Sequence, residues 1–336
     1  MIYSVGDRIV FAPSIGNRPV SGPQQYLEFP ISTISANEYE DVVDQFLDNV
    51  AQSCAGSTDA KALAAILAQL RVERLDAELA GWRRLEACLG YDPDDAPENV
   101  VDALIDLENV VGQEGVEEAA LARPGDGAAT ALESAIEASR ASNLIVSFDL
   151  ASRIEKSPDL PPYASPWRFA EEAAMQLRRI IGVPRGPLKQ DKFADILGAR
   201  WQDLKAATAT ARHLPYGARL AEDSGEDRLA IQTITAHDRR FELARLFGDA
   251  VWRSSSSFGV TSRSRTDRQK FQRAFAQSLL VPFEDMREII SLNAPSLEQI
   301  ADAARRYHVH ENVVRNLLVY KGFLPFENLD QRLEAA

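Results

Sequence analysis

Apolar residues recurring every three to four positions, stripe after stripe from about residue 36 to residue 142, are what most limits the fold of this chain. Val42, Val43, Phe46, Leu47 and Val50 form one stripe, and Leu63, Ile66, Leu67 and Leu70 a second. Leu79, Trp82, Leu85 and Leu89 form a third, and Val100, Val101, Leu104, Ile105 and Val111 a fourth. That spacing places apolar side chains on one face of a helix and leaves the other face polar. Gly90 stands where a helix C-cap is expected, and Pro97 suits the first turn of the helix that follows the Tyr91–Pro97 turn. No catalytic constellation stands out in this stretch, so an interaction or scaffold role is expected of it.

The flanks read differently. Residues 1–35 carry glycine, proline and short apolar runs, which predicts irregular structure with one or two strands. After residue 160 a helix is expected from Trp167 to Ile181, stopped at Gly182, and a shorter one from Asp191 to Leu197, ending at Gly198. Strands are expected around 203–208, 216–220 and 228–235, the last rich in β-branched residues. The fold class that follows is α+β, predominantly helical, with a small sheet in the C-terminal part.

Charge divides the chain. Residues 1–160 hold 28 acidic against 11 basic side chains, whereas residues 161–336 hold 22 against 26. With the proline-rich stretch Ser157–Tyr163 at the break, two domains are expected: an acidic, mainly helical one over 1–160 and a second over 161–336. An acidic half repels phosphate backbones, which speaks against nucleic-acid binding by the whole chain. No run of eighteen apolar residues occurs and the N-terminus lacks a basic start followed by an apolar stretch, so neither a membrane span nor a secretory leader is expected. Cys54 and Cys88 belong to no C-x-x-C pattern and read as buried thiols of a cytoplasmic protein.

Two segments in the second half carry chemistry. The first is Arg239-Arg240-Phe241-Glu242-Leu243-Ala244-Arg245-Leu246-Phe247-Gly248-Asp249, and the second is Phe275-Ala276-Gln277-Ser278-Leu279-Leu280-Val281-Pro282. In this order after a strand, they resemble the ImmA/IrrE family of bacterial regulatory metallopeptidases, which shows R-F-T-L-A-H-E-L-G-H and then F-A-A-E-L-L-M-P. Leu297-Glu298-Gln299-Ile300-Ala301, Val309, Leu317 and Gly322-Phe323-Leu324 resemble the family's closing helix pair. The resemblance spans roughly residues 165–325 and implies a zinc-peptidase-like fold there.

The departures from that pattern imply that hydrolysis is gone. In H-E-x-x-H two histidines at i and i+4 hold zinc from one helix face while the glutamate acts as base. Here Arg245 and Asp249 occupy the histidine positions and Leu246 the glutamate position, while Phe271 stands where the family's third, carboxylate ligand usually falls. An arginine repels a divalent cation and a leucine accepts no proton. The expectation is a pseudo-peptidase with no metal, no cofactor and no catalytic residue, in which Arg245 and Asp249 pair with each other across one helical turn.

What remains is recognition. Arg253, Arg263, Arg265, Arg268, Lys270 and Arg273 set six basic groups against the single acid Asp267, which reads either as a solvated, serine-rich loop or as a docking surface for an acidic partner, the chain's own N-terminal half included. The resemblance implies a repressor, toxin or defence component as that partner, in stress response, mobile-element or phage-defence regulation. Two rival functions stay open: a peptidase with an unorthodox metal site built on Asp249, Asp267 or a histidine from elsewhere, and a DNA-binding regulator acting through the 296–320 helix pair. The spacing from Ala301 to Val309 predicts a turn too long for a compact helix-turn-helix.

Overall fold

A computed structural model describes residues 2–5, 7–12, 31–156, 160–161, 164–222, 224–233, 235–252 and 257–325. Among them are fourteen α-helices and seven short strands, the expected helix-dominated α+β class. The chain parts into two compact units, residues 1–81 with 158–165 and residues 82–157 with 166–336.

The first unit holds a three-stranded antiparallel meander, β1 (Ile2–Val5), β2 (Arg8–Phe11) and β3 (Ser32–Ser35), one strand more than expected. It continues into α1 (Ala36–Ser53) and α2 (Thr58–Leu75). Ser35 and Ser57 start these helices by accepting hydrogen bonds from the Glu38 and Ala60 amides, 3.1 and 3.0 Å away. Arg71 pairs with Asp48 and Arg74 with Asp44 across the two helices. The break between the units falls inside α3 (Ala77–Leu89).

The second unit is layered. Its sheet runs β4 (Ile145–Val146), β6 (Asp227–Ala230), β5 (Gly217–Ala221), β7 (Phe258–Thr261), antiparallel throughout. Alternation along the strands sends Ala218, Leu220, Ala230, Phe258 and Val260 to one face, where α4 (Glu98–Val111), α5 (Gln113–Ala122) and α6 (Ala128–Ala141) cover them. Ala128, Ala129 and Ala135 let α6 lie close to the strands. The other face receives α10 (Ala236–Trp252), backed by α11 (Asp267–Leu280), which in turn packs on α7 (Pro166–Ile180). Short α8 (Gln190–Ile196), α9 (Trp201–Ala206) and α12 (Phe283–Met286), then α13 (Leu297–Tyr307) and α14 (Glu311–Tyr320), complete it.

Four expectations need correction. Packing does not follow the division placed at residue 160 on charge, because α4 to α6 cover the same sheet that α10 covers from behind. Charge composition reports on the solvent face of a helix and says nothing about what its apolar face meets. The strand expected at 203–208 is helical α9, built from good helix formers around buried Leu204. The strand expected at 228–235 ends at Ala230, because the next amides serve a side chain: Gln232 and Thr233 donate to the Glu242 carboxylate at 2.9 and 3.0 Å. Cys54 is exposed and Cys88 half-buried, so neither is the buried thiol expected; burial pushes the Cys88 thiol up to about 11.

Candidate functional site

The motif segments land on two helices in contact. Gly248 of α10 brings the helices together, since a Cβ there would meet the Phe275 ring of α11 at 3.0–3.2 Å. Phe247 stacks on Phe275 with ring centroids 5.8 Å apart. Phe271, where a third ligand would stand, is a core residue packed on Phe169 at 4.9 Å and Trp252 at 5.2 Å.

Glu242, Arg245 and Asp249 share the α10 face that meets the sheet, and all three are buried. The expected direct pair between Arg245 and Asp249 does not form, and neither group is solvated. Asp249 accepts from Arg268 Nε at 2.6 Å, Arg268 Nη2 at 2.9 Å, Arg219 Nε at 2.8 Å and Gln272 Nε2 at 2.6 Å. Arg219 extends the lattice to Asp227 at 3.0 Å. One helical turn earlier, Arg245 donates to the Ser262 carbonyl at 2.7 Å and to Gln269 Oε1 at 2.8 Å. Gln269 in turn donates to Glu118 of α5 at 3.0 Å. The lattice therefore links helices from both faces of the sheet.

Two glycines make the room. A Cβ on Gly259, the cross-strand partner of Arg219, would fall on the Asp249 carboxylate, and one on Gly217 would fall on that of Glu242. Glycine is required here for close approach, not for an unusual backbone angle.

Electrostatics follow from burial and pairing. Burial alone would raise the Asp249 carboxyl, but Arg268 and Arg219 more than reverse that and hold it below its ordinary 3.8. Burial lowers the Arg245 guanidinium to about 9, which leaves it charged at neutral pH. Burial raises Glu242, Glu118 and Asp227. Glu242, Arg245 and Asp249 are thus each engaged by other protein groups.

The remaining candidates scatter. Asp267 opens α11 at the surface and pairs with Lys270 at 3.0 Å. His213, His237, His308 and His310 are all exposed, and among the described residues no group of three or more His, Cys, Asp or Glu side chains is placed to hold a metal ion. Of the six basic residues expected at a docking surface, Arg253 lies outside the described residues and Arg263 is exposed. Arg268 is no surface group at all but the chief partner of Asp249, a correction that i,i+4 logic could not supply because the partner comes from another helix. Arg265, Lys270 and Arg273 do converge, at the rim of a cavity of about 600 Å³ framed by α7, α10, α11 and α14.

The helix-turn-helix expectation changes on both counts. Only three residues, His308 to His310, separate α13 from α14, with His308 in the left-handed region at φ 55°. The turn is short, contrary to the spacing argument. Yet Val313, Val314 and Asn316 to Val319 are buried, which leaves α14 little free surface to enter a groove.

Compared with protein families, curated proteins and solved structures, the chain matches none. No helix among the described residues is long and apolar enough to cross a membrane.

Proposed function

We propose that this chain is a non-catalytic, protein-binding regulatory module of the ImmA/IrrE type. The observation that carries this reading is the state of the two positions that match the zinc histidines. Arg245 and Asp249 are buried, Asp249 accepts four hydrogen bonds and Arg245 donates through Nη2 to a carbonyl and a side chain, and Leu246 between them is apolar core. A hydrolytic zinc needs three protein ligands and an open fourth position for water. The four hydrogen bonds to Asp249 and the aromatic packing of Phe271 leave no such opening.

The family reading itself rests on the motif residues and is supported by the packing of both motif helices against each other and by the short closing helix pair. It carries the expectation of a cytoplasmic, bacterial role in stress, mobile-element or phage-defence regulation, with a repressor, toxin or defence protein as partner. The rival peptidase with an unorthodox metal site draws no support from Asp249, already saturated by two arginines, or from Asp267, which is paired at the surface.

The test is elemental analysis of protein purified without chelators. The expected result is no stoichiometric zinc or other transition metal. One tightly held zinc per chain, removable by chelator with loss of stability, overturns the reading.

A further inference from the structure

Arg240 belongs to the first motif segment but has no part in the lattice around Asp249. It sits in the second turn of α10, 3% exposed, with its guanidinium carbon 4.6 Å from the centre of the Phe193 ring of α8. Its Nη2 donates to the Leu188 carbonyl, while Nε and Nη1 have no hydrogen-bond partner among the described residues. Arg219 and Arg268 share the Asp249 carboxylate, but no described carboxylate pairs with Arg240. Burial, and then the neighbouring Arg178 cation, lower the Arg240 guanidinium to about 10, which leaves it charged at neutral pH. A buried cation without an anion is costly, and one carbonyl and one ring face offset only part of that cost.

The same side chain forms part of the wall of a cavity of about 200 Å³ between α8, α9 and the start of α10. Buried Phe193, Leu204 and Leu243 line it beside Arg240, and half-buried Trp201 adds a flat wall. Ala236 and Lys205 are exposed, so the mouth lies on their side. Among the described residues no aspartate or glutamate lines the cavity. Arg239, also in the wall, donates to the Leu204 and Lys205 carbonyls at 3.2 and 2.9 Å and so fastens α9 to α10.

We propose that this cavity takes a small monocarboxylate with a flat apolar body, about the size of benzoate. An apolar cavity of ~150 Å³ encloses benzene, so about 200 Å³ has room for a ring and one carboxylate. One buried guanidinium balances one negative charge. A phosphate dianion brings a second charge among apolar walls, with no second buried cation in the wall to meet it. A planar carboxylate suits the guanidinium fork, and Phe193 and Trp201 offer ring faces to the body. The site shares no residue with the Asp249 lattice, so the proposal stands apart from the loss of hydrolysis.

The experiment is titration of the full chain with benzoate, its neutral isostere benzamide and inorganic phosphate, read by calorimetry and by melting temperature. Benzoate is expected to bind saturably at millimolar concentration or below and to raise the melting temperature, with benzamide and phosphate at least ~10-fold weaker. Arg240→Met and Trp201→Ala are each expected to weaken benzoate at least ~10-fold while circular dichroism stays that of the native chain. If Arg240→Met does not fold, Lys205→Glu at the exposed mouth takes its place, expected to weaken benzoate and leave benzamide unchanged. No saturable benzoate binding, benzamide binding as tightly as benzoate, or unchanged benzoate affinity in the folded variants overturns the proposal. Phosphate binding as tightly as benzoate also overturns it and reassigns the cavity to an inorganic anion.

Discussion

Helices α1 and α10 are close in length, at 18 and 17 residues, yet the first buries none of its side chains and the second buries eleven. Side-chain polarity would predict the reverse for several positions. α1 leaves Val42 and Phe46 exposed, whereas α10 buries Arg240, Glu242, Arg245 and Asp249. α1 meets one partner helix through exposed ion pairs of the Arg71–Asp48 kind, which solvent and salt screen. α10 lies between a sheet and α11, so its charged groups are enclosed and must be paired there. Burial of a residue is decided by how many elements surround its helix.

The comparison is sharpest at the motif. Arg245→His, Leu246→Glu and Asp249→His together would write H-E-x-x-H into α10 but remove the carboxylate that holds Arg219 and Arg268 and place an acid in apolar core. The expected outcome is loss of the fold, by more than about 5 kcal/mol, seen as loss of the cooperative urea transition. A folded triple variant with chelator-sensitive proteolysis would mean that neither the lattice nor Phe271 bars a zinc site.

Asp249→Ala alone leaves two buried guanidinium groups without their anion and is expected to cost about 3–5 kcal/mol in urea denaturation. The pH profile provides a second reading of the same group. Its folded pKa lies below the ordinary 3.8, so its contribution is present above that value and lost as pH falls through the folded one. Glu118, Glu242 and Asp227, raised by burial, act in the opposite sense: their contribution is greatest in acid and declines as pH rises. Wild type should therefore lose stability below pH 3.8 relative to Asp249→Ala; parallel profiles for the two would remove Asp249 from the acid limb.

Gly259→Ala is expected to cost at least about 1–3 kcal/mol, because the new methyl displaces the Asp249 carboxylate. A melting temperature equal to that of wild type would show that the lattice shifts freely. At the small end, Phe46→Ala on α1 is expected to stay within about 0.5 kcal/mol, since its ring is 64% exposed. A cost near that of a core phenylalanine, about 3–5 kcal/mol, would mean that α1 is covered in solution and would erase the contrast with α10.

Much of the local structure was legible in the residues. The stripes from Val42 to Val111 are helical, and Gly182 and Gly198 stand just past α7 and α8 with positive φ. The segment around Arg245 is one helix and the segment around Phe275 another. At the buried polar site the corrections are of one kind. Arg268 reads as surface charge in the sequence because its partner, Asp249, lies nineteen residues back on another helix. Gln269, Gln272 and Glu118 gave no signal at all, and only the Gly217 and Gly259 positions hinted that side chains approach the sheet closely.

Periodicity, capping and turn residues act through neighbours a few positions apart, so the sequence by itself determined most of the helices and where α7 and α8 stop. Layering joins residues that are distant along the chain. Tertiary structure alone decided that the acidic helices α4 to α6 cover one face of the sheet while α10 covers the other. It also decided that Arg245 and Asp249 answer to Gln269 and Arg268 rather than to each other, because a buried charge pairs with whichever opposite or polar group the packing brings within hydrogen-bond distance.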